Sequence, residues 1–340
     1  MTMMNNNLLF SAENLSVDFT TEEGIIRAVD DISFSLESGK TLGIVGESGS
    51  GKSVAMRSLM SLHPQNAIVG KQTKLLLKRK SGDTTDIAQL KTKDRDLYNI
   101  RGGEISMVFQ EPTASFSPIY TIGKQISQAI SLHEDVDKIE ARKRVVAMLD
   151  RVGITEPETR FDQYVFDLSG GMRQRAMIAT ALVTRPSILI ADEPTTSLDV
   201  TIQAQVLKLM KDLQKEFGMG IIFISHDLGV ISQVSDEICV MYLGRIVEQG
   251  TTKDVISNPQ HPYTKALLAA LPRLDNVNAT LEPIKGDIPS PLERPSGCVF
   301  HTRCKFADQN LCVSTIPDFE KVGEKHTSAC HLHSNSEKMS

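Results

Sequence analysis

The chain has 340 residues, of which 40% are hydrophobic and 23% charged, the balance of a globular protein able to bury a core. Its formal net charge is −5, which disfavours a general nucleic-acid binder because such proteins are usually basic. No run of about 18 apolar residues is present to span a membrane. The opening MTMMNNNLLF lacks the pattern of a secretion signal, so a cytosolic location is expected.

The first 60 residues predict strands followed by a helix. LLFSAENLSVDF and AVDDISFSL alternate apolar and polar side chains, with a polar turn between them at residues 20–24. TLGIVG is a continuous apolar run typical of a buried strand, and GKSVAMRSLMSL has helical spacing. Residues 65–100 are polar and rich in lysine, and they predict loops and short strands.

Buried strands and helices alternate farther along. Residues 137–152 place five apolar side chains on one helix face, and Gly153 is a stop signal. SILIADE, TIQAQVLKLMKDLQKEFG and GIIFISHD predict a strand, a helix and a strand, which together indicate an α/β fold with a mostly parallel sheet. After about residue 260, repeated prolines predict a linker and a small irregular tail.

Residues 46–53 read GESGSGKS and match GxxxxGK[ST], the Walker A pattern. The glycines let backbone N–H groups converge on phosphate oxygens, and the following helix N-terminus favours an anion. The pattern therefore predicts ATP binding with Mg²⁺, with Lys52 on the β- and γ-phosphates and Ser53 on the metal. The expected nucleotide-binding residues of this loop are Gly46, Ser48, Gly49, Ser50, Gly51, Lys52 and Ser53.

The strand SILIADE ends in two carboxylates. Beside a Walker A loop, Asp192 is expected to orient the Mg²⁺ ion, and Glu193 is expected to polarise the water that attacks the γ-phosphate. These residues predict an ATPase.

With those residues placed, the chain resembles ATP-binding cassette (ABC) ATPases over about residues 8–260. LSGGMRQR resembles the family's signature, with Met172 where Gln is commoner, and Ser197-Leu198-Asp199 resembles its D-loop. The resemblance implies roles for Gln110 (Q-loop, reaching Mg²⁺ and the water), His226 (switch histidine) and Phe19 (stacking on adenine). It also implies head-to-tail dimers, in which Ser169, Gly170 and Gly171 contact a nucleotide held by the partner chain.

Further segments, among them MVFQEP, NPQHPYTKALLAALP and PSGCVFHTRC, resemble the oligopeptide and dipeptide importer branch. The expected architecture is an ABC ATPase domain at 8–260 and a C-terminal extension at 261–340. The ATPase domain would contain a mostly parallel sheet, an N-terminal antiparallel β subdomain and an α-helical signature subdomain at about 111–180. The extension is expected to be small, irregular and rich in cysteine.

Cys298, Cys304, Cys312 and Cys330 lie in the last 43 residues, separated by five, seven and seventeen residues. Four clustered thiols indicate a metal or iron–sulfur site. Zinc usually shows tighter Cys spacing, and disulfides are disfavoured in the cytosol. The branch resemblance implies a structural 4Fe-4S cluster on these four thiols. His301, His326 and His331 are possible substitute ligands, although each is expected to be a surface residue, whereas Cys239 is expected to be an inert core residue.

The resemblance implies an energy-coupling subunit for uptake of di- or oligopeptides, peripheral on the cytoplasmic face of the inner membrane. Its expected partners are a second ATPase chain, two permeases and an extracytoplasmic solute-binding protein. Oligosaccharide or nickel uptake remains open, as does a soluble ABC ATPase of translation or DNA repair. Such soluble proteins typically carry tandem cassettes or coiled-coil insertions, and the sequence has neither. A non-catalytic binding module is opposed by Lys52, Asp192, Glu193 and His226.

Overall fold

The computed structural model describes residues 7–196, 198–271, 284 and 286–334. The chain forms two compact units. The first contains Leu36–Lys40 and Leu77–Phe223, with the described N-terminal residues up to Leu9. The second contains Phe10–Ser35, Thr41–Leu76 and the described part of Ile224–Ser340.

The strands are, in chain order, β1 (Leu8–Thr21), β2 (Gly24–Glu37), β3 (Thr41–Val45), β4 (Ala67–Val69), β5 (Lys74–Lys78), β6 (Thr84–Asp86), β7 (Ile105–Val108), β8 (Ile188–Asp192), β9 (Gly220–Ser225), β10 (Glu237–Tyr242), β11 (Arg245–Thr251), β12 (Glu320–Gly323) and β13 (His326–Ser328). The helices are α1 (Lys52–Ser58), α2 (Arg95–Ile100), α3 (Ile122–Ser131), α4 (Lys138–Arg151), α5 (Pro157–Phe161), α6 (Gly170–Leu182), α7 (Val200–Phe217), α8 (Leu228–Val234), α9 (Thr252–Ser257), α10 (Pro262–Ala269), α11 (Leu311–Ser314) and α12 (His331–Ser334).

The first unit combines parallel strands with a group of helices. β7 and β8 run parallel, with Met107 opposite Ile190, and every residue of both strands is buried. This burial explains why the strands read as continuous apolar runs rather than as alternating ones. The helix predicted at residues 137–152 is α4, whose Val145 and Leu149 are buried, whereas Ile139, which was expected on the same face, is 82% exposed. In α3, Ile122, Ile126 and Ile130 are fully buried.

The second unit contains a sheet in the order β12-β13-β11-β10-β3 and a smaller N-terminal sheet. β10 runs parallel to β3, whereas the pairs β10–β11, β11–β13 and β12–β13 are antiparallel. In the N-terminal sheet β1 pairs with β2 and, antiparallel, with β4. The expected α/β architecture with an antiparallel N-terminal subdomain is therefore confirmed. No helix in the described ranges is long and apolar enough to cross a membrane.

The C-terminal tail is more regular than expected. Its strands β12 and β13 extend a sheet of the second unit, and Ser328 of β13 lies opposite Glu248 of β11. These strands have four and three residues, too few for a period-two pattern to stand out in the sequence. The boundary between an ATPase domain and an extension at residue 260 stays a prediction.

Glu248 is the main polar anchor between β11 and the tail. Its side chain is fully buried, and its carboxylate accepts hydrogen bonds from the backbone amides of Gln260 (2.7 Å) and His261 (2.8 Å). His326 Nε2 lies 2.7 Å from the same carboxylate. The expectation that His326 is a surface residue was wrong, because it is 2% exposed and acts as a buried partner of Glu248.

Candidate functional site

The loop of residues 46–53 connects β3 to α1 in the second unit. Gly49 and Gly51 have φ values of +80° and +93°, which glycine adopts without strain. A Cβ at Gly46 would collide with the carbonyl oxygen of Met241, and a Cβ at Gly51 with that of Ala28. The backbone path therefore requires glycine at both positions.

Lys52 begins α1 and is 5% exposed. Its Nζ atom donates to the carbonyl oxygens of Gly46 (2.7 Å) and Glu47 (2.9 Å) and to Ser50 Oγ (3.2 Å). These three oxygens hold the ammonium group over the loop, and an anion can compete with them because charge-assisted bonds are stronger. Ser48 and Gly49 are exposed, and Ser53 is half-buried at the start of α1.

The carboxylates predicted from SILIADE lie at the end of β8 in the first unit. Asp192 is 2% exposed, and Glu193 follows with a φ of +48°. Gln110 Nε2 donates to Glu193 Oε2 over 3.2 Å, and Thr196 Oγ1 donates to the same oxygen over 2.9 Å. The structure therefore brings Gln110 and Glu193 together, and it adds Thr196, which the sequence analysis missed although it lies three residues beyond Glu193.

The signature residues begin α6 in the first unit. Ser169 is the N-cap, and its Oγ accepts a hydrogen bond from the Met172 amide (3.3 Å). Ser169 and Gly170 are exposed, and a Cβ at Gly170 would meet no atom within 4 Å. An exposed N-terminus of a 13-residue helix offers backbone N–H groups and a positive dipole end to an anion.

The remaining predicted residues lie in different places. Phe19 is half-buried in β1, opposite Ala67 of β4, and His226 is exposed just beyond β9; both belong to the second unit. In the segment that resembles the D-loop, Ser197 lies outside the described residues. Asp199 of the same segment caps α7 by accepting from the amides of Thr201 and Ile202, both over 3.0 Å.

All four tail cysteines belong to the second unit. Cys298 and Cys330 are buried, and Cys304 and Cys312 are half-buried. The amide of Cys298 donates to the carbonyl oxygen of Cys312 over 2.8 Å. Burial raises the pKa of the Cys298 thiol to about 11, against a hydrogen bond from the Phe300 amide, and the charges of the other three thiols add to the rise.

Two further amide-to-sulfur hydrogen bonds follow the same i to i+2 pattern. The Phe306 amide donates to Cys304, and the Leu332 amide donates to Cys330. Thiol donors and N–H groups aimed at sulfur fit the chemistry of an iron–sulfur site. Across the described ranges, however, no group of three or more His, Cys, Asp or Glu side chains is arranged so that it could hold a metal ion. The cluster therefore stays a prediction.

Two parts of the chain match known protein families. Residues 29–196 match the ABC transporter family, and residues 247–312 match the oligopeptide/dipeptide transporter C-terminal region. The dipeptide transport ATP-binding protein DppD of Bacillus subtilis is 45% identical over 324 residues, covering 95% of this chain and 94% of that protein. A Brucella ovis protein, provisionally named a peptide import ATP-binding protein, is 44% identical over 333 residues, covering 96% and 98%.

Solved structures resemble about three quarters of the chain. The ATP-binding cassette MJ0796, determined as a dimer in a post-hydrolysis state with ADP and Pi, has a TM-score of 0.62 and 25% identity, covering 72% of this chain and 99% of that one. CbiO1 of Clostridium perfringens, part of the transporter complex cbiONQ, has a TM-score of 0.58 and 28% identity, covering 74% and 92%. This chain belongs to the ATP-binding proteins of ABC transporters, in the branch that carries the oligopeptide/dipeptide transporter C-terminal region.

Proposed function

We propose that this chain is the ATP-hydrolysing subunit of an ABC importer for di- or oligopeptides. The observation that carries the proposal is relatedness over nearly the whole chain to proteins named for peptide or dipeptide transport, including the C-terminal region of that branch. The chain would act at the cytoplasmic face of the inner membrane. It would work there with a second ATPase chain, two permeases and an extracytoplasmic solute-binding protein.

Uptake by intact cells tests the solute. A strain lacking the gene is complemented with wild-type chain or with Lys52→Ala, and labelled dipeptide, pentapeptide, oligosaccharide and nickel are offered separately. Peptide uptake restored by the wild type alone supports the proposal. If only the uptake of oligosaccharide or only the uptake of nickel were restored, the chain would still be an importer ATPase, but for that solute. Unchanged uptake of all four, with ribosomes or DNA as co-purifying partners, would indicate a soluble ABC ATPase instead.

Nucleotide binding is assigned to the loop at residues 46–53 and to Phe19. The exposed loop amides would bind phosphate oxygens, with Lys52 neutralising β- and γ-phosphate charge. Phe19 would stack on adenine. Ser53, Gln110 and Asp192 would hold Mg²⁺, and the ion would offset the charge of the transferred phosphoryl group.

Hydrolysis is assigned to Glu193, Gln110 and His226. Glu193 would accept a proton from the water that attacks the γ-phosphorus atom, while the bond from that atom to the bridging oxygen of ADP breaks. The hydrogen bonds from Gln110 and Thr196 hold the Glu193 carboxylate and support this assignment. His226 would contact the γ-phosphate and hold the water in line.

Two chains would complete each site. The exposed α6 terminus at Ser169, Gly170 and Gly171 would bind the γ-phosphate of a nucleotide held by the partner ATPase. The dimeric form of the related cassette MJ0796 with ADP and Pi supports this arrangement. Closure on ATP and reopening after hydrolysis would then drive the permeases, through the segment around Gln110 and residues 113–125.

The tail thiols Cys298, Cys304, Cys312 and Cys330 would hold a structural 4Fe-4S cluster. The amide hydrogen bonds to three of the sulfurs support thiolate ligation. Anaerobic purification followed by iron and sulfide analysis and a visible spectrum tests this assignment. Roughly four irons and four sulfides per chain, with broad blue absorbance that disappears in Cys312→Ser, are expected for one cluster. Stoichiometric zinc, or no metal, would contradict it.

A further inference from the structure

The phosphate loop of residues 46–53 is held by two residues from the C-terminal part of the chain. Arg303 forms a two-point ion pair with Glu47, the second residue of the loop: Nη1 lies 2.8 Å from Oε2, and Nη2 lies 3.1 Å from Oε1. The Arg303 side chain is 5% exposed and that of Glu47 is 26% exposed. A two-point guanidinium–carboxylate pair with a buried donor fixes orientation as well as charge.

Tyr263 of α10 holds the backbone of the same residue. Its hydroxyl accepts a hydrogen bond from the Glu47 amide over 2.9 Å. The ring is fully buried and packs 4.8 Å from Tyr242 and 5.3 Å from Phe300, centroid to centroid. Burial raises the pKa of the Tyr263 hydroxyl, which therefore stays neutral and available for this bond.

The third polar group of Glu47, its carbonyl oxygen, accepts from Lys52 Nζ. The amide, the carboxylate and the carbonyl of one loop residue are therefore bonded to Tyr263, Arg303 and Lys52. These contacts link the C-terminal region, through a single residue, to the lysine that is assigned to the phosphates.

Charge explains why Glu47 needs such a partner. A triphosphate is strongly anionic, and an unpaired carboxylate within its binding loop would repel it. Arg303 offsets that charge at close range while leaving the loop backbone free to face the nucleotide. Lysine would supply the charge but not the two-point geometry.

We propose that Arg303, assisted by Tyr263, is a positioning residue for the nucleotide. It cancels the charge of Glu47 and fixes the phosphate loop, so that the C-terminal region forms part of the ATP site. This inference rests on the assignment of residues 46–53 to ATP. It assigns to the C-terminal region a role in nucleotide affinity that is separate from any metal on its thiols.

Variants of the full chain test the inference by equilibrium titration with MgATP. Arg303→Ala should weaken ATP binding by about tenfold at low salt, because the carboxylate is then unpaired. Glu47→Gln should bind as well as wild type or better, because it lacks the repelling charge. The double variant should recover to within about threefold of wild type. Arg294→Ala is the matched control, since this C-terminal arginine pairs with Asp30 (3.0 Å) rather than with the loop.

Ionic strength provides a readout that loosened packing alone would not move. The defect of Arg303→Ala should shrink between about 50 mM and about 300 mM salt, because salt screens the repulsion between the half-buried Glu47 carboxylate and the nucleotide. Wild-type affinity in Arg303→Ala, or a double variant no better than the single one, would overturn the inference. If Tyr263→Phe, which retains the ring, also bound ATP like wild type, the assistance assigned to Tyr263 would be wrong. Failure of the wild-type chain to bind ATP would instead contradict the proposed function.

Discussion

The backbone of Glu193 has an uncommon conformation, and hydrogen bonds fix the position of its side chain. Its φ of +48° lies in the left-handed region, which non-glycine residues seldom adopt and which concentrates at functional sites. The conformation follows directly after the buried Asp192 at the end of β8, and Gln110 and Thr196 both donate to Glu193 Oε2. Both donors reach the same carboxylate oxygen, and they fix the orientation of the group.

Glu193→Gln should bind MgATP with wild-type affinity but hydrolyse it at least about 100-fold more slowly in the assembled transporter, because an amide cannot accept the proton. Single-turnover release of phosphate measures the chemical step. Asp192→Asn is the comparison, and it should lose Mg²⁺-dependent binding as well. A wild-type rate in Glu193→Gln would exclude Glu193 as the base.

Thr196→Ala should lower kcat by about fivefold and leave the KM for ATP within about twofold, since it removes a donor that orients the Glu193 carboxylate. Steady-state ATPase assays on the transporter measure both constants. Thr201→Ala, an exposed position in the first turn of α7, is the matched control. An unchanged kcat would show that Thr196 is not needed to orient Glu193.

At the scale of elements, β11, β13 and α10 meet at the buried Glu248 carboxylate. In the wild type, Oε1 accepts from the Gln260 amide and contacts the His326 ring, and Oε2 accepts from the His261 amide. Glu248→Gln replaces one of these oxygens by an amide NH₂ group, which must then face a backbone N–H donor. We expect the free energy of unfolding to fall by about 3 kcal/mol, measured by urea denaturation. Glu237→Gln, at the half-buried start of β10, should change it by less than about 0.5 kcal/mol. Equal losses in the two variants would contradict the anchoring role.

The free energy of unfolding should also depend on pH through His261, the residue that caps α10. Burial, together with the charges of His333 and Lys265, lowers the pKa of His261 from 6.5 to about 3. Between about pH 6.5 and about pH 3, the imidazole of His261 is protonated in the unfolded chain but neutral in the folded chain. The contribution of His261 to the free energy of unfolding is therefore fully present above pH 6.5. It declines as the pH falls, by up to about 1.4 kcal/mol per pH unit.

His261→Asn tests that dependence, because asparagine keeps an N-cap acceptor for the Tyr263 amide but does not titrate there. Thermal melts between pH 7 and pH 4.5 should show a shallower acid decline in His261→Asn than in wild type. His331→Asn, whose ring contact is exposed, should follow the wild-type curve. Parallel curves for wild type and His261→Asn would exclude His261 as a source of the decline.

Sequence pattern was sufficient wherever local chemistry decides the structure. The runs TLGIV and ILIAD predicted β3 and β8, and the glycines of residues 46–53 predicted a phosphate loop between a strand and a helix. Sequence pattern did not predict contacts between residues that are far apart along the chain. Arg303 and Glu47 are separated by 256 residues, and no periodicity relates them. His326 in the sequence HTS likewise gives no signal of burial, because its partner Glu248 is 78 residues away.

Each ATP site is proposed to form between two chains. Gly170→Asp adds a negative charge to the first turn of α6 without a clash, since no atom lies within 4 Å of the new Cβ. A negative charge at the N-terminus of a helix also interacts favourably with the helix dipole, so the fold should be retained. In a Glu193→Gln background, the variant should bind MgATP normally but fail to form ATP-dependent dimers with the partner ATPase.

Size-exclusion chromatography with and without MgATP measures that assembly. Ile139→Asp, which adds a charge to an exposed position in the first turn of α4, should leave it unchanged. Normal dimers of Gly170→Asp would show that the signature helix does not face the partner's phosphate. Weakened ATP binding by the isolated variant would point to a role within the same chain.

The buried position of Glu248 also limits how this gene can recombine. A chimaera that joined residues 8–260 to the C-terminus of another ABC subunit would retain Glu248 but lose His326 and the strand that covers it. A buried polar group that loses a hydrogen-bond partner destabilises the fold. Exchange between transporters should therefore transfer β11 and the C-terminal strands as one inherited block, with Glu248 and His326 substituted together or not at all.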